Sequence, residues 1–583
     1  MLQKINWDIL LAVVIGLAYM AGSLLPYHFQ PDADFLVNTW SIGILSAGLC
    51  VLLLLKPIRF RLSLSGYTWL IFWLLLIIQP AIHRLDYPDT MIFSITMLGL
   101  MVLLSMLVGQ IDDKTVFFRT VAVMLIITGS LNVLIQFIQL ISPEGWYFVM
   151  PVWNNHTPYG NVAQRNEAAF INTLAVISVI YFWLASSSRK MRILLTFVLL
   201  YLMVALGMSV SRIGLLMMPL AILAMGIMLS GSLKRKIIFI LAAWAFYAVA
   251  YVIGSQLLHL YQYINMADRG MSTGTIWMRW AQLQQGIVIF LDYPILGAGW
   301  RGYNAHAFDY SQNLAWLANS SHSHFFVSQI AAELGIVGIL AMIPAFLVFI
   351  RTARRNVSYE QMAAWALVFV SILYSCTEYP LWHPRYLIVF VALLALLNLY
   401  IAKDSKKSVS TAASRLLVAV VCLGVALASV YYNKQYKQIS SFYTLIQKYE
   451  EEHPEINTQR QEERQSLYQY VPQTFGLSDM SEILLFRVLM PPTRNPELAN
   501  AIALGGRVLR RNTFSTHFSK QAALLALDHR PQEAARYFYA ACAYNRGEHC
   551  EHIREELHWW QENFPDLYQD LPDEILTNPY YNK

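Results

Sequence analysis

The sequence predicts an all-α, polytopic membrane protein with about thirteen transmembrane helices, a long structured loop and a C-terminal helical domain. Three observations carry that expectation. Of the 583 residues, 57% are hydrophobic and only 13% are charged, with a mean hydropathy of +0.44, which is too apolar for a soluble chain of this size. Apolar runs of spanning length recur along most of the sequence. They stop near residue 432, where a polar segment with helical patterns takes over.

The runs lie near 8–25, 36–55, 67–82, 91–108, 120–141, 168–185, 193–209, 213–230, 237–258, 325–350, 362–378, 386–402 and 415–432. The first lacks a small-residue cleavage site and leads straight into further spans, so it is expected to stay uncleaved. Basic residues cluster in every second connection, as in Lys56, Arg59 and Arg61, in Lys234, Arg235 and Lys236, or in Lys403, Lys406 and Lys407. The positive-inside rule makes these loops cytoplasmic. The N-terminus is then inside, whereas the loop 259–324 and the domain 433–583 are periplasmic if the membrane is a bacterial inner membrane. The formal net charge of +6 is accounted for by these clusters, and no nucleic-acid partner is expected.

The membrane domain, 1–432, carries polar residues at a few places. Asn132, Gln136 and Gln139 share one face of the fifth run, either as interhelical glue or as the wall of a cavity. The segment from Gly160 to Glu167 puts a glycine and several amides, including Asn161, Gln164 and Asn166, at a helix start, where backbone N–H groups suit an anionic or sugar ligand. Ser209 to Arg212 forms a tight connection, with Ser211 placed to cap the eighth run. Arg212 follows in its first turn, where a cation is unfavourable without an anionic partner.

The loop 259–324 is rich in aromatics, among them Trp277, Trp280, Trp300, Tyr303 and Trp316. Within it, 274–291 patterns as an amphipathic helix, with Trp277, Trp280, Ile287 and Leu291 on one side and Arg279, Gln282 and Gln285 on another. The loop ends at His322-Ser323-His324, and Ser328, Ala331, Gly335 and Gly338 then follow His324 at helical steps. That spacing predicts a close-packed helix face of small residues beneath the histidine. Glu333 lies too far along this helix to act beside His324 and is expected to pair structurally with a neighbouring helix. Glu378, at the exit of the eleventh run, either orients a nearby Arg or His or serves as a structural pair.

In the C-terminal domain, SKQAALLALDHRPQEAARYFYAACAYNRG patterns as one tetratricopeptide-like hairpin. Such a unit binds a protein or braces a loop. Cys542 and Cys550 fall in this domain, and an oxidising compartment would permit a disulfide between them. No Cys/His cluster has zinc spacing and no phosphate-loop or dinucleotide motif is present, so neither metal nor cofactor is expected.

Two arginines and a histidine directed at one compartment suit a lipid-linked diphosphate. Guanidinium holds phosphate bidentately, and an imidazole can take a proton from an attacking hydroxyl. The order of GNVAQRN, SVSRIG, WMRW with YPILGAG, HSHFFVSQIAAELGIVG and TEYPLW resembles the bacterial O-antigen ligase and polymerase superfamily over about residues 130–400, and most closely its PglL-type protein O-oligosaccharyltransferases. The resemblance implies metal-free transfer of a preassembled oligosaccharide from undecaprenyl diphosphate to Ser or Thr hydroxyls of a periplasmic acceptor protein such as pilin. It assigns His324 as base or hydroxyl-orienting group, Arg279 and Arg212 to the diphosphate, and Glu378 to the acidic catalytic position. It also leaves Asn161, Gln164, Asn166 and His322 as substrate contacts. The chain departs from the family at Phe325, usually Asn, and at Arg165 and Glu167, usually Pro and His. Rival readings are an O-antigen ligase or polymerase with the same donor, and a transporter of lipid-linked glycan.

Overall fold

The computed structural model describes residues 6–58, 60–83, 85–152, 157–263, 273–306, 309–310, 320–402, 411–452, 466–489, 497–512, 514–543 and 550–568. Arg59, Trp316, Lys403, Lys406 and Lys407 lie outside them. The helices are α1 (Trp7–Leu24), α2 (Phe35–Leu55), α3 (Leu64–Ile82), α4 (Met91–Val108), α5 (Lys114–Ile141), α6 (Arg165–Ala185), α7 (Arg189–Met208), α8 (Arg212–Met228) and α9 (Leu233–Leu260). After them come α10 (Thr273–Asp292), the single turn α11 (Gly302–Ala305), α12 (Phe326–Ala341), α13 (Ile343–Thr352), α14 (Tyr359–Ser375), α15 (Pro384–Asn398) and the long α16 (Ala412–Glu452). The C-terminal helices are α17 (Ser478–Val488), α18 (Leu498–Arg511), α19 (Ser515–Leu527), α20 (Pro531–Ala543), α21 (Cys550–Asn563) and α22 (Pro565–Tyr568).

Every apolar run of the sequence lies in a helix, except that 325–350 is divided between α12 and α13. Among the described residues, nine helices are long and apolar enough to cross a bilayer, or ten if α12 and α13 count as one broken span. The runs 213–230, 362–378 and 386–402 fold into shorter helices of 17, 17 and 15 residues, at or below the lower end of the spanning range.

Residue contacts divide the chain into two units. The first comprises Met1–Trp73, Thr96–Ser272 and Ala341–Lys434, and the second Leu74–Ile95, Thr273–Leu340 and Gln435–Lys583. In the first unit, α6 and α15 are buried along nearly their whole length. Small residues let neighbours close in on each other. A Cβ on Gly129 would lie 2.3 Å from the Ala175 Cβ, and one on Gly254 would lie 2.0 Å from the Val204 carbonyl oxygen, the close backbone approach on which helix packing in lipid relies. Helix starts follow the local sequence: Asn6, Asp113, Ser188, Ser211, Ser232 and Ser358 accept first-turn N–H bonds of α1, α5, α7, α8, α9 and α14, each satisfying a donor the helix leaves orphaned.

In the second unit, α12 is not the continuous helix that its small-residue face suggests. Gly335 (φ 63°, ψ −159°) interrupts it, and the 293–299 segment lies against the break. Ala298 N donates to Ala332 O (2.8 Å) and Ile336 N to Pro294 O (2.8 Å). A Cβ on Gly335 would meet the Ile295 carbonyl oxygen at 2.3 Å. The small residues thus admit a crossing backbone rather than only a neighbouring helix. Gly335→Ala combines that clash with a backbone region open almost only to glycine, which by itself costs on the order of 1–3 kcal/mol. The substitution is expected to lower the denaturation midpoint of the purified protein in detergent, with faster amide exchange in 293–299.

The C-terminal helices build a core around Phe518, Phe538, Ile553, Leu557 and Trp560, and a disulfide joins Cys542 to Cys550. His517 is buried there, and that burial, with Lys520 and Arg487 adding positive charge, pushes its imidazole down to about 3. In the unfolded chain it titrates near ~6.5. The unfolded state therefore binds the extra proton first, and stability is lost as pH falls from the unfolded value toward the folded one. This residue should remove about 2 kcal/mol by a pH of about 5. Amide exchange of 515–527 in the full-length protein should show the loss, and His517→Gln should flatten it.

Candidate functional site

Chemistry-bearing side chains gather at two places, one in each unit. In the first unit the amides of α5 settle the conformation of the segment before α6. The Gln139 Oε1 accepts from Tyr159 N (3.0 Å) and Gly160 N (2.8 Å), while its Nε2 donates to Met150 O and Gly160 O (both 2.9 Å). Gln136 donates to Pro158 O (3.0 Å), and Asn132 and Gln136 both bond Asn172 of α6. The shared amide face is therefore glue. Gly160, at φ 70°, has room for no side chain, because a Cβ would sit 2.0 Å from the Asn132 Oδ1.

Asn161, expected as a substrate contact, belongs to the same framework. It is 1% exposed. Its Oδ1 accepts from Met150 N (3.0 Å), and its Nδ2 donates to Leu24 O and Phe148 O (2.7 Å each). Its side-chain amide is thus engaged within the protein framework. Gln164 is the residue before α6 and leaves the helix without a side-chain cap.

The first turn of α6 then collects the polar groups. Asn166 Nδ2 donates to Glu378 Oε1 (3.0 Å), and its Oδ1 accepts from Ser211 Oγ (2.8 Å), which also caps α8 by accepting from Gly214 N (3.0 Å). One amide thus joins the starts of α6 and α8 to the end of α14. Arg212 follows Ser211 directly, and Arg165 precedes Asn166. Arg212 and Glu378 are the charged neighbours of the half-buried Arg165. With the first-turn carboxylate Glu167 engaged by Arg385, two guanidinium groups and the Glu378 carboxylate at the positive end of a helix favour an anion. Ser211, Arg212, Asn166 and Glu378 were all legible in the sequence. Arg165 stands out in the sequence only as a departure from the family pattern, and its place beside Asn166 in a helix start is the signal that marks it.

Next to this lies a network that no local sequence pattern joins. Arg385, fully buried, donates to Glu167, to Asp34 (3.2 Å) and to Gly22 O (3.1 Å). Tyr386 donates to Glu167 (2.7 Å), and His383 lies 3.7 Å from both carboxylates. Burial acts to raise the Asp34 carboxyl, but Arg385, His383 and His28 outweigh it and hold the group well below the usual carboxylate range. Ligand atoms of Asp34, Glu167 and His383 lie within 4.8 Å of one another, a donor set of metal-binding type. The Arg385 guanidinium already meets both carboxylates, so the chemistry of the cluster is that of a buried ion network. The 167 and 385 positions carried the signal: opposite charges at the starts of two apolar helices require partners.

In the second unit, His324 lies two residues before the start of α12, with φ at 53°, a left-handed conformation costing a non-glycine residue roughly 1–2 kcal/mol. Its neighbours fix it. Ser323 N donates to Gln329 Oε1 (2.7 Å), Ser323 Oγ donates to Phe325 O (2.8 Å), and Phe325 N donates back to that hydroxyl (3.3 Å). His322 is held through Ser320, whose Oγ accepts from His322 N (3.2 Å) and donates to His322 O (2.7 Å). Both imidazoles are half-buried.

Arg279 sits on α10 and donates to Gln282 Oε1 (3.2 Å). The helix is amphipathic as its sequence suggests, with Trp277, Trp280, Ile287 and Leu291 exposed and Gln282, Gln285 and Ile289 buried. It crosses α12 at Gly286, where a Cβ would meet Ser328 Oγ at 2.2 Å. Arg279 precedes this crossing by two helical turns and His324 by four residues. Glu333 meets the single-turn α11, its carboxylate accepting from Tyr303 N (3.5 Å).

Comparison with known proteins supplies the family. Residues 197–343 match a family described as O-antigen ligase, and residues 362–554 match one described as the C-terminal part of a virulence factor membrane-bound polymerase. The first match contains Arg212, Arg279, His322 and His324, the second Glu378, Arg385 and both paired cysteines, and the 160–167 segment lies outside both. No match was found among curated proteins. With its multi-pass helical architecture and these two matches in succession, the chain belongs to the O-antigen ligase superfamily of glycan-transferring membrane proteins.

Proposed function

We propose that this protein transfers a preassembled oligosaccharide en bloc from undecaprenyl diphosphate to Ser or Thr hydroxyls of periplasmic acceptor proteins such as pilin, in the bacterial inner membrane. The observation that carries the donor class is the gathering of Arg212 and Arg165 beside Glu378 at the start of α6, where the helix's own first-turn carboxylate, Glu167, is already engaged by Arg385. That excess of fixed positive charge suits a diphosphate and needs no metal to supply it. Asn166 holds Glu378 in place, and Gln164 is left at the uncapped helix start to meet the ligand.

In the reaction, the acceptor hydroxyl oxygen attacks the anomeric carbon and forms the new glycosidic bond. The bond from that carbon to the diphosphate oxygen breaks, and undecaprenyl diphosphate departs with the bonding pair. His324 takes the hydroxyl proton, or orients the hydroxyl for attack, and the guanidinium groups of Arg279 and Arg212 stabilise the departing diphosphate. His322 is a substrate contact. In this reading the N-terminus is cytoplasmic, and the His324 loop and the C-terminal helices are periplasmic.

A second reading shares the donor and differs in the acceptor. The matched families are described as a ligase and a polymerase, which favours lipid A core or another lipid-linked glycan. An acceptor panel separates the two. Purified protein in nanodiscs, given a defined undecaprenyl-diphosphate oligosaccharide, EDTA, pilin, lipid A core and a second lipid-linked glycan, is expected to yield pilin peptides glycosylated on Ser or Thr. Glycan found only on lipid A core or on the second glycan would replace the protein acceptor by the ligase or polymerase reading.

A further inference from the structure

The second unit contains an unbroken series of polar contacts running from the C-terminal helices to the His324 loop. It begins at Asp479 on α17, 2% exposed, which accepts from Arg511 Nε of α18 (2.7 Å) and lies 3.5 Å from Arg301 Nη1. Asn304, on the same turn as Arg301, donates to Arg511 O (2.9 Å). Arg301 itself has a left-handed backbone (φ 66°), a conformation that costs a non-glycine residue and that its contacts help to hold. The backbone of that turn then reaches α12. The N–H groups of Arg301 and Tyr303 are both directed to the Glu333 carboxylate, and the Gln329 side chain hydrogen-bonds the same carboxylate. Gln329 in turn accepts from Ser323 N (2.7 Å), and its Nε2 points to Ser321 O (3.5 Å). His324 is the next residue.

We infer that the C-terminal helical domain is a positioning element for the His324 loop: Asp479 fixes the Arg301 turn, the turn fixes Glu333, and Glu333 sets the Gln329 amide that holds Ser323 and the left-handed His324. Satisfaction of buried polar groups couples these residues. Glu333 and Gln329 are both 2% exposed, and a buried carboxylate or amide keeps a single orientation only while its partners are present. Removing Asp479 takes away one anchor of the Arg301 turn, which weakens two N–H bonds to Glu333 and loosens the hold of Gln329 on Ser323. The strained His324 conformation then loses what holds it. Asp479, Arg301, Glu333 and Gln329 are positioning residues in this account, and none is assigned contact with substrate. The catalytic consequence rests on the proposed role of His324, whereas the structural coupling does not.

The test measures coupling and catalysis separately on full-length protein in nanodiscs. Amide exchange of 320–326 is expected to quicken about tenfold in Asp479→Asn and in Arg301→Met, and to return to the wild-type rate in Asp479→Glu. Exchange of 515–527 and 531–543 should stay unchanged in Arg301→Met, which leaves the Asp479 to Arg511 pair intact. Turnover in the same variants should fall about tenfold with the donor KM nearly unaltered, as expected for a misplaced reacting group. Wild-type exchange of 320–326 in Arg301→Met would overturn the inference, as would a rise confined to 301–304. If the exchange coupling is found but the wild-type protein transfers no glycan, the positioning relay stands and the glycosyltransfer reading fails.

Discussion

Replacing His324 with alanine is expected to lower glycan transfer by about a hundred- to ten-thousand-fold, the usual contribution of a positioned proton acceptor. Alanine is a poor occupant of the left-handed backbone found here, so a loss in His324→Ala mixes chemistry with conformation. His324→Asn separates them. Asparagine tolerates φ near 53° and offers hydrogen bonds but takes no proton at neutral pH. If His324 is the base, the asparagine variant loses about as much turnover as the alanine variant while 320–326 exchanges at the wild-type rate. If it only orients the hydroxyl, asparagine recovers much of the activity. His322→Ala, one residue beyond the Ser323 clamp, should cost less than about tenfold. The measurement is initial rate of transfer at saturating donor for all three proteins.

The second large effect concerns stability. Arg385→Met removes the only guanidinium that the described residues place on Glu167 and Asp34, leaving Glu167, 5% exposed, with an uncompensated charge among apolar helices. Breaking such a pair from one side costs about 3–5 kcal/mol. Adding Glu167→Gln to Arg385→Met should recover part of the loss, because the amide can still accept from Tyr386 without carrying charge. Unfolding in mixed micelles by SDS titration reads both values. The loss should carry a functional cost as well, since Glu167 adjoins Asn166, and Asn166 ties Glu378 to Ser211. A displaced α6 start would misplace Arg165 and Arg212 together.

Much of this is legible in the sequence. The helices were readable because apolar runs in lipid have few alternatives, and Ser211 was readable as a cap because serine before an apolar run satisfies first-turn donors. The amphipathic α10 followed from its aromatic spacing. What escaped the sequence was long-range. Gly335 looked like one more small residue on a helical face, and only the backbone of 293–299 laid against it explains the break. Asn161 has the residue type of a ligand contact, and its amide is engaged by Leu24, Phe148 and Met150, partners up to 137 residues away. Asp34 and Arg385 are 351 residues apart in sequence, and no local pattern joins them. The same holds for Asp479 and Arg301, which is why the sequence left open whether the C-terminal domain braces a loop.

The most direct test of the account is whether a new glycosidic bond forms at the expense of the donor diphosphate linkage. Purified full-length protein in nanodiscs is supplied with oligosaccharide labelled on undecaprenyl diphosphate and with pilin as acceptor, and both products are quantified by mass spectrometry. The account predicts glycan on Ser or Thr and free undecaprenyl diphosphate in equal amounts, each greatly reduced in His324→Asn and Arg279→Met. Donor that binds, or crosses the bilayer in proteoliposomes, with its glycosyl diphosphate bond intact and no acceptor modified would contradict it and make the protein a carrier of lipid-linked glycan.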